Sequence, residues 1–257
     1  MLSLALGLLL LWALAWAQRI RGTAFFLPGI FFLLVVLQHG TLIDIEWFYR
    51  HGAYLVMLGI WALEATASGI PKTAIRDISP GVVSAGLCGV LLVYPLLARG
   101  TGALADTPAA SYNIYEMQYQ MGLFLRQNYN GQVVAANDIG AIDYLADLHL
   151  VDLYGLASMD VARAKLSGQL TTAVIDRVTS SQGARIAIVY DLWFAQVGLP
   201  SSWVKVRQWH YQDCYVCGED TVSFYALSPN QVPALQSDLD HFSQQLPRSV
   251  RDIAITP

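Results

Sequence analysis

Charge is scarce in this chain: 13% of its 257 residues are Asp, Glu, Lys or Arg, against 55% hydrophobic. A domain folded in water usually carries roughly 25% charged residues. Positive charge is scarcer still, with a net charge of −4. That balance excludes a basic surface able to track phosphates, and no nucleic-acid partner is expected. Catalytic signatures are also missing: there is no G-x-S-x-G elbow, no G-x-x-x-x-G-K-[ST] loop and no H-E-x-x-H pair. Cysteines number three. Cys88 lies in an apolar run and reads as a small apolar residue. Cys214 and Cys217 form a C-x-x-C, for which three readings stand: a local disulfide staple, a redox pair, or half of a zinc site. A redox motif normally follows a strand and opens a helix, whereas both flanks here read as strands, which favours a staple at a hairpin tip. Zinc would need a second ligand pair, and His210 and His241 are irregularly spaced. No metal and no cofactor is expected.

The shortage of charge is uneven. Up to Arg99 the charges, Glu64 excepted, fall between four long apolar runs: 1–17, 23–38, 52–68 and 81–98. A spanning helix needs ~20 residues, and these runs reach or approach that length with their flanks. The first has only Ser3 as a polar residue and so lacks the polar face of a soluble helix. Ala15-Trp16-Ala17 resembles a signal-peptide cleavage site, but no positive charge precedes the apolar core, so an uncleaved helix is expected. Arg19/Arg21 and Lys72/Arg76 mark the inner loops by the positive-inside rule. The expectation is a multi-span α-helical membrane region (1–99), a linker (100–111) and a soluble α/β domain with a mainly parallel sheet (112–257). The implied location is the inner membrane, multi-pass, with the C-terminal domain extracytoplasmic and the lipid bilayer as a partner.

In the C-terminal part, Tyr112–Asn128 reads as an amphipathic helix with Glu116, Gln120 and Gln127 facing away from its apolar side. Strands are expected at Gln132–Ala136, His149–Leu153, Arg185–Tyr190, Trp203–Trp209 and Thr221–Leu227, the last two as an antiparallel edge hairpin. Helices are expected at Ile139–Ala146, from Ser158 through Leu166, at Thr171–Ser180 and at Ser237–Leu246. Such alternation implies helices layered on a sheet.

Two places carry candidate chemistry. Asp138 and Asp152 each follow an apolar strand, and the carboxyl ends of strands carry ligand sites in open α/β sheets. Both could face one crevice and bind a sugar hydroxyl or a cation. Alternatively Asp138 caps a helix and Asp152 orders a turn. The loop His39–His51 places Asp44, Glu46, Arg50 and His51 among Trp47, Phe48 and Tyr49. That pattern fits a bilayer-surface loop whose Arg50 meets a lipid phosphate, or ordinary loop charge with aromatic anchoring.

The stretches Val133-Val-Ala-Ala-Asn-Asp-Ile-Gly-Ala-Ile-Asp-Tyr144 and Leu150-Val-Asp-Leu-Tyr-Gly-Leu-Ala-Ser158 resemble the soluble C-terminal domain of bacterial GT-C type glycosyltransferases. Trp47-Phe-Tyr-Arg-His-Gly-Ala-Tyr-Leu-Val56 is similar to a late outside loop of those enzymes, with His51 where a Tyr is usual. The resemblance implies a substrate of the polyprenyl-phosphate sugar class and a separate catalytic membrane subunit as partner. It carries over no catalytic residue, because the catalytic acid of such enzymes lies in the first outside loop of a longer helix set. The matched positions Asp138, Gly140, Tyr144, Asp152 and Gly155 are expected to be structural. The chain then reads as the C-terminal portion, or a shortened relative, of such an enzyme, inactive alone. The alternative is a non-catalytic, membrane-anchored extracytoplasmic binding or assembly module.

Overall fold

The computed structural model describes residues 2–17, 23–42, 52–68 and 81–255. The chain divides into two compact units, Met1–Thr107 and Pro108–Pro257.

In the first unit, helices α1 (Leu2–Ala17), α2 (Thr23–Leu42) and α3 (Ala53–Ser68) pack around Leu4, Leu8, Phe32 and Ala62. Gly29 and Gly59 allow the close approach: a Cβ on Gly29 would lie 2.5 Å from the Trp12 ring, and one on Gly59 2.7 Å from Leu4. His39 and Tyr54 share a 2.6 Å hydrogen bond between α2 and α3. Among the described residues no helix is long and apolar enough to cross a membrane. This overturns the expected multi-span membrane region. The physical reason is length: α1 and α3 have 16 residues each, which at 1.5 Å per residue rise only ~24 Å against a ~30 Å hydrocarbon core. Helix α2 extends past the second run through His39-Gly40-Thr41, so its 20 residues are not apolar throughout.

The fourth run belongs to helix α4, Gly81–Ile114. The stretch 100–111, expected as a linker, is helical. Gly100, Gly102 and Pro108 are local breakers, yet alanines and Leu104 favour the helix. Thr101 and Thr107 donate their hydroxyls to the carbonyls of Leu97 and Ala103, at 2.9 and 2.7 Å. The helix continues as a π turn, Tyr115–Tyr119, and then as α5, Gln120–Asn128.

The second unit is built on a six-stranded sheet in the order β2-β1-β3-β5-β4-β6. The strands are β1 (Val133–Ala136), β2 (His149–Asp152), β3 (Ile186–Val189), β4 (Val204–Tyr211), β5 (Thr221–Ala226) and β6 (Val250–Ala254). Only β1–β2 and β1–β3 pair in parallel, while β3–β5, β4–β5 and β4–β6 are antiparallel. The sheet is therefore mixed and not mainly parallel. The β4–β5 hairpin folds its second strand onto β3, and β6, which the sequence reading left without structure, closes the far edge. Arg207 of β4, 7% exposed in its side chain, pairs with Asp252 of β6 at 3.1 Å and with Asp240 of helix α9 (Val232–Ser243). Burial pushes the Asp252 carboxyl up, and Arg207 opposes that shift.

Helices cover both faces. On one side α5, α6 (Gly140–Leu145) and α9 bury Phe124, Ile142, Leu239 and Phe242 against Val134, Trp209 and Phe224. On the other, α8 (Thr172–Gln182) places Ile175 against Ala135, Val151 and Ala187. Helix α7 (Met159–Leu166) is capped by Ser158, whose Oγ accepts from the Val161 amide. The chain runs from β1 to β2 on one side, then returns over β1 to β3 on the other. That reversal is a topological switch point between β1 and β3, the place where open α/β sheets carry ligand sites at the carboxyl ends of their strands.

Candidate functional site

The alternation of side chains along a strand sends consecutive residues beyond β3 to opposite faces. Tyr190 joins the Phe124 core, and Asp191 turns to the other side. Each organises a polar cluster.

Asp191 accepts three hydrogen bonds. Lys205 Nζ (2.6 Å) and Ser223 Oγ (2.8 Å) donate to Oδ2, and the Tyr225 hydroxyl donates to Oδ1 at 2.8 Å. Gln208 Nε2 donates to Ser223 Oγ at 3.0 Å. Burial, with Asp191 close by, pushes the Tyr225 hydroxyl far above its usual range, so it stays a donor. Ser223 is fully buried, which removes it as a nucleophile for any substrate in solvent. Lys205 and Asp191 remain about 30% and 29% exposed.

Beside this cluster lies an aromatic platform. Tyr154 and Trp193 have ring centroids 4.4 Å apart, and the Lys165 ammonium lies over Tyr154. Trp193 is fixed by the hairpin loop between β4 and β5: its Nε1 donates to the Gly218 carbonyl at 3.1 Å. A Cβ on Gly218 would stand 2.5 Å from the indole ring. Glu219 of the same loop accepts from the Leu192 amide at 2.9 Å. Its carboxyl is pushed up, first by burial and then by Asp191 and Asp220; the Leu192 amide and Lys205 oppose the shift.

The hairpin loop is itself held at three points. Buried Asn113 donates Nδ2 to the Asp213 carbonyl at 2.6 Å, and its Oδ1 accepts from the amides of Tyr215 (2.8 Å) and Val216 (3.1 Å). Cys214 and Cys217 are joined as a disulfide, with Cα atoms 5.6 Å apart. The flanks are β4 and β5, and no helix follows the pair. His210 Nδ1 bonds Thr221 and His241 Nδ1 bonds the Ser237 carbonyl. Among the described residues no group of three or more His, Cys, Asp or Glu gathers.

Asp138 and Asp152 end in different roles. Asp152 is 5% exposed and accepts four backbone amides: Tyr154 (2.8 Å) and Gly155 (3.0 Å) on Oδ1, Ala157 (2.6 Å) and Ser158 (2.8 Å) on Oδ2. It orders its turn and has no acceptor capacity to spare. Gly155 completes that turn with φ +83, and a Cβ there would lie 2.6 Å from the Ala162 backbone. Asp138 caps nothing: α6 has Ile139 at its N-cap position, with no side-chain cap. Asp138 Oδ2 accepts instead from Gln118 Nε2 at 2.9 Å and faces the Tyr190 hydroxyl at 3.5 Å. A Cβ on Gly140 would meet open space, and Tyr144 is 88% exposed. Asp44, Glu46, Arg50 and His51 lie outside the described residues.

Sequence reasoning missed Tyr190, Asp191 and Trp193. The signal was present: they follow the fully apolar strand Ile186–Val189, and the carboxyl-end rule applied to β1 and β2 applies equally there. Glu116 and Gln120 were placed on the outer side of a regular helix, yet they are 3% and 2% exposed. The π turn inserts residues into the helical repeat and rotates both inward.

A family described as Domain of unknown function (DUF8728) matches residues 112–225, a span that runs from α4 to β5 and contains both clusters. Comparison with curated proteins and with solved structures gives no match.

Proposed function

We propose that the second unit is a non-catalytic binding module for a carbohydrate-bearing ligand, serving a glycosyltransferase of the polyprenyl-phosphate-sugar class as an accessory part. The observation that carries this reading is the half-buried Tyr154–Trp193 platform beside Asp191, Lys205 and Glu219. Sugars are held by an aromatic face together with polar side chains that bond their hydroxyls; Glu219 and the Lys205–Asp191 pair are the polar groups at its edge. Two of the carboxylates support the non-catalytic reading. Asp152 is consumed by its turn, and Asp191 already holds three donors, so neither is poised to take a proton from an acceptor hydroxyl. The motif likeness to GT-C soluble domains is associational support. The disulfide fits an oxidising compartment outside the cytoplasm.

The test is an NMR titration of the intact chain with oligosaccharides and with a short-chain polyprenyl-phosphate sugar, following the Trp193 indole proton. A saturable shift is expected. Trp193→Ala should weaken binding roughly tenfold, the ~1.4 kcal/mol scale of one aromatic contact. No saturable shift with any of these ligands would end the reading.

A further inference from the structure

The aromatic platform leans on a loop whose parts are held by different means. Asn113 fixes the first half, through the Asp213 carbonyl and the amides of Tyr215 and Val216. At the far end the Asp220 carbonyl accepts the Tyr211 amide at 2.9 Å, where the β4–β5 ladder starts. Between these anchors stand Cys217, Gly218 and Glu219. Among the described residues no backbone–backbone hydrogen bond involves any of the three. Yet they are the residues that meet the platform: the Gly218 carbonyl holds the Trp193 indole at 3.1 Å, and Glu219 holds the Leu192 amide at 2.9 Å. The Cys214–Cys217 bond joins them to the anchored half, and half-buried Cys217 also packs against the core.

Cys214 is exposed, so a reductant can reach the bond. Exposed disulfides are more oxidising and more labile than protected ones. The ring it closes spans Cys214 to Cys217 only, the short-loop regime in which a cross-link constrains the unfolded chain least. Its loss therefore leaves the fold standing. Asn113 still holds the backbone on both sides of Cys214, which keeps that sulfur near its partner and makes re-closure entropically easy. The loop 212–220 contains Asp213, Glu219 and Asp220 but no Lys, Arg or His. Reactive thiolates sit beside cations or helix N-termini, so the pair lacks the surroundings of a catalyst acting on other thiols. Its reach is local, to the turn that carries Trp193.

We propose that the Cys214–Cys217 disulfide is a reversible switch that sets the loop's grip on Trp193, and with it the affinity of the platform. This control rests on the reading of the platform as a ligand site, and the closed form is the tight-binding one. The reductant is a dithiol. It gives up two electrons and two protons and becomes a disulfide, while the Sγ–Sγ bond of Cys214 and Cys217 breaks and each sulfur becomes a thiol. The reverse exchange, with an oxidised dithiol, closes the loop again. By linkage, a ligand that prefers the closed form makes the bond harder to reduce by the same factor.

The test compares the intact oxidised chain with the chain treated with dithiothreitol, using thiol titration to verify that two thiols have been gained. Reduction should shift the Trp193 indole proton in NMR spectra and speed the exchange of that proton and of the Leu192 amide. Neither readout needs a ligand. Affinity for an oligosaccharide that binds the oxidised chain should fall ~2–10-fold, the scale of one aromatic contact, and return on reoxidation. The double variant Cys214→Ser, Cys217→Ser should resemble the reduced chain and cease to respond to dithiothreitol. An indole proton and a Leu192 amide unmoved by the gain of two thiols would overturn the proposal, as would equal saccharide affinity of the two forms. A bond that resists dithiothreitol in the folded chain would do the same. An indole that responds while no saccharide binds either form sinks the ligand reading alone and upholds the redox grip of the loop.

Discussion

Replacing Asp152 by alanine is the most direct probe of how the strand ends are held. Its carboxylate accepts four amides within 3.0 Å and is 5% exposed. A hydrogen bond to a charged group contributes roughly 1.5–3 kcal/mol. The four are not additive: they share one carboxylate, and Ala157 is exposed, so water can replace part of what is lost. If about half of the contribution survives in that way, Asp152→Ala should cost ~3–6 kcal/mol. That is a large fraction of the ~5–15 kcal/mol that holds a typical domain together. Asp152→Asn should cost less, ~2–3 kcal/mol, because its remaining oxygen still accepts two of the amides. Denaturant unfolding of the intact chain gives the total loss. Native-state hydrogen exchange at Tyr154, Gly155, Ala157 and Ser158 localises it, and these four amides should lose protection before the strand amides of β1 and β3. A cost below ~1 kcal/mol for the alanine variant would refute the argument that the carboxylate organises this turn.

Two further outcomes follow from the same region. Gly155→Ala combines a left-handed backbone, φ +83, with a Cβ 2.6 Å from the Ala162 backbone; it should destabilise by at least ~2 kcal/mol in urea unfolding, and a neutral result would mean that α7 shifts freely. Glu219 has a native pKa raised by burial, so its contribution to stability is full below the ordinary carboxylate range and is lost as pH rises through the native value. Glu219→Gln keeps an oxygen for the Leu192 amide and should remove that slope from a Tm-versus-pH curve, whereas an unchanged slope would assign it to another group.

Local pattern carried much of the second unit. Strands β1, β2, β3 and β5 are short, largely apolar runs, β4 alternates apolar with polar residues, and Ser158 and Thr171 cap the helices that follow them. What escaped depends on distant partners. Strand β6 reads Val-Arg-Asp-Ile-Ala, too polar to announce itself, and it is held by Arg207 from β4. Glu116 and Gln120 changed sides because a π turn breaks the helical phase, which hydrophobic periodicity does not reveal. In the first unit, composition and run length pointed to spans, but among the described residues no helix is long and apolar enough to cross a membrane. For the site, the carboxyl-end rule located Asp138 and Asp152 but not their division of labour. Which of them is saturated depends on turn geometry, and which faces Gln118 depends on the π turn.

The hold of Asn113 on the hairpin loop has a consequence for the order of assembly. Its three partners lie 100 to 103 residues later in the chain. Closing a loop of that length costs about 4 kcal/mol from the logarithmic term alone, and nothing local to residue 113 repays it. The bonds therefore form only after strands β1, β3 and β5 have brought the two segments together. During synthesis residue 113 emerges early and waits with its amide unengaged until the loop after β4 has been made. Protection of the Tyr215 and Val216 amides then becomes a clock for the joining of β1, β3 and β5, and slow protection there with fast protection in β1 would time that step of folding.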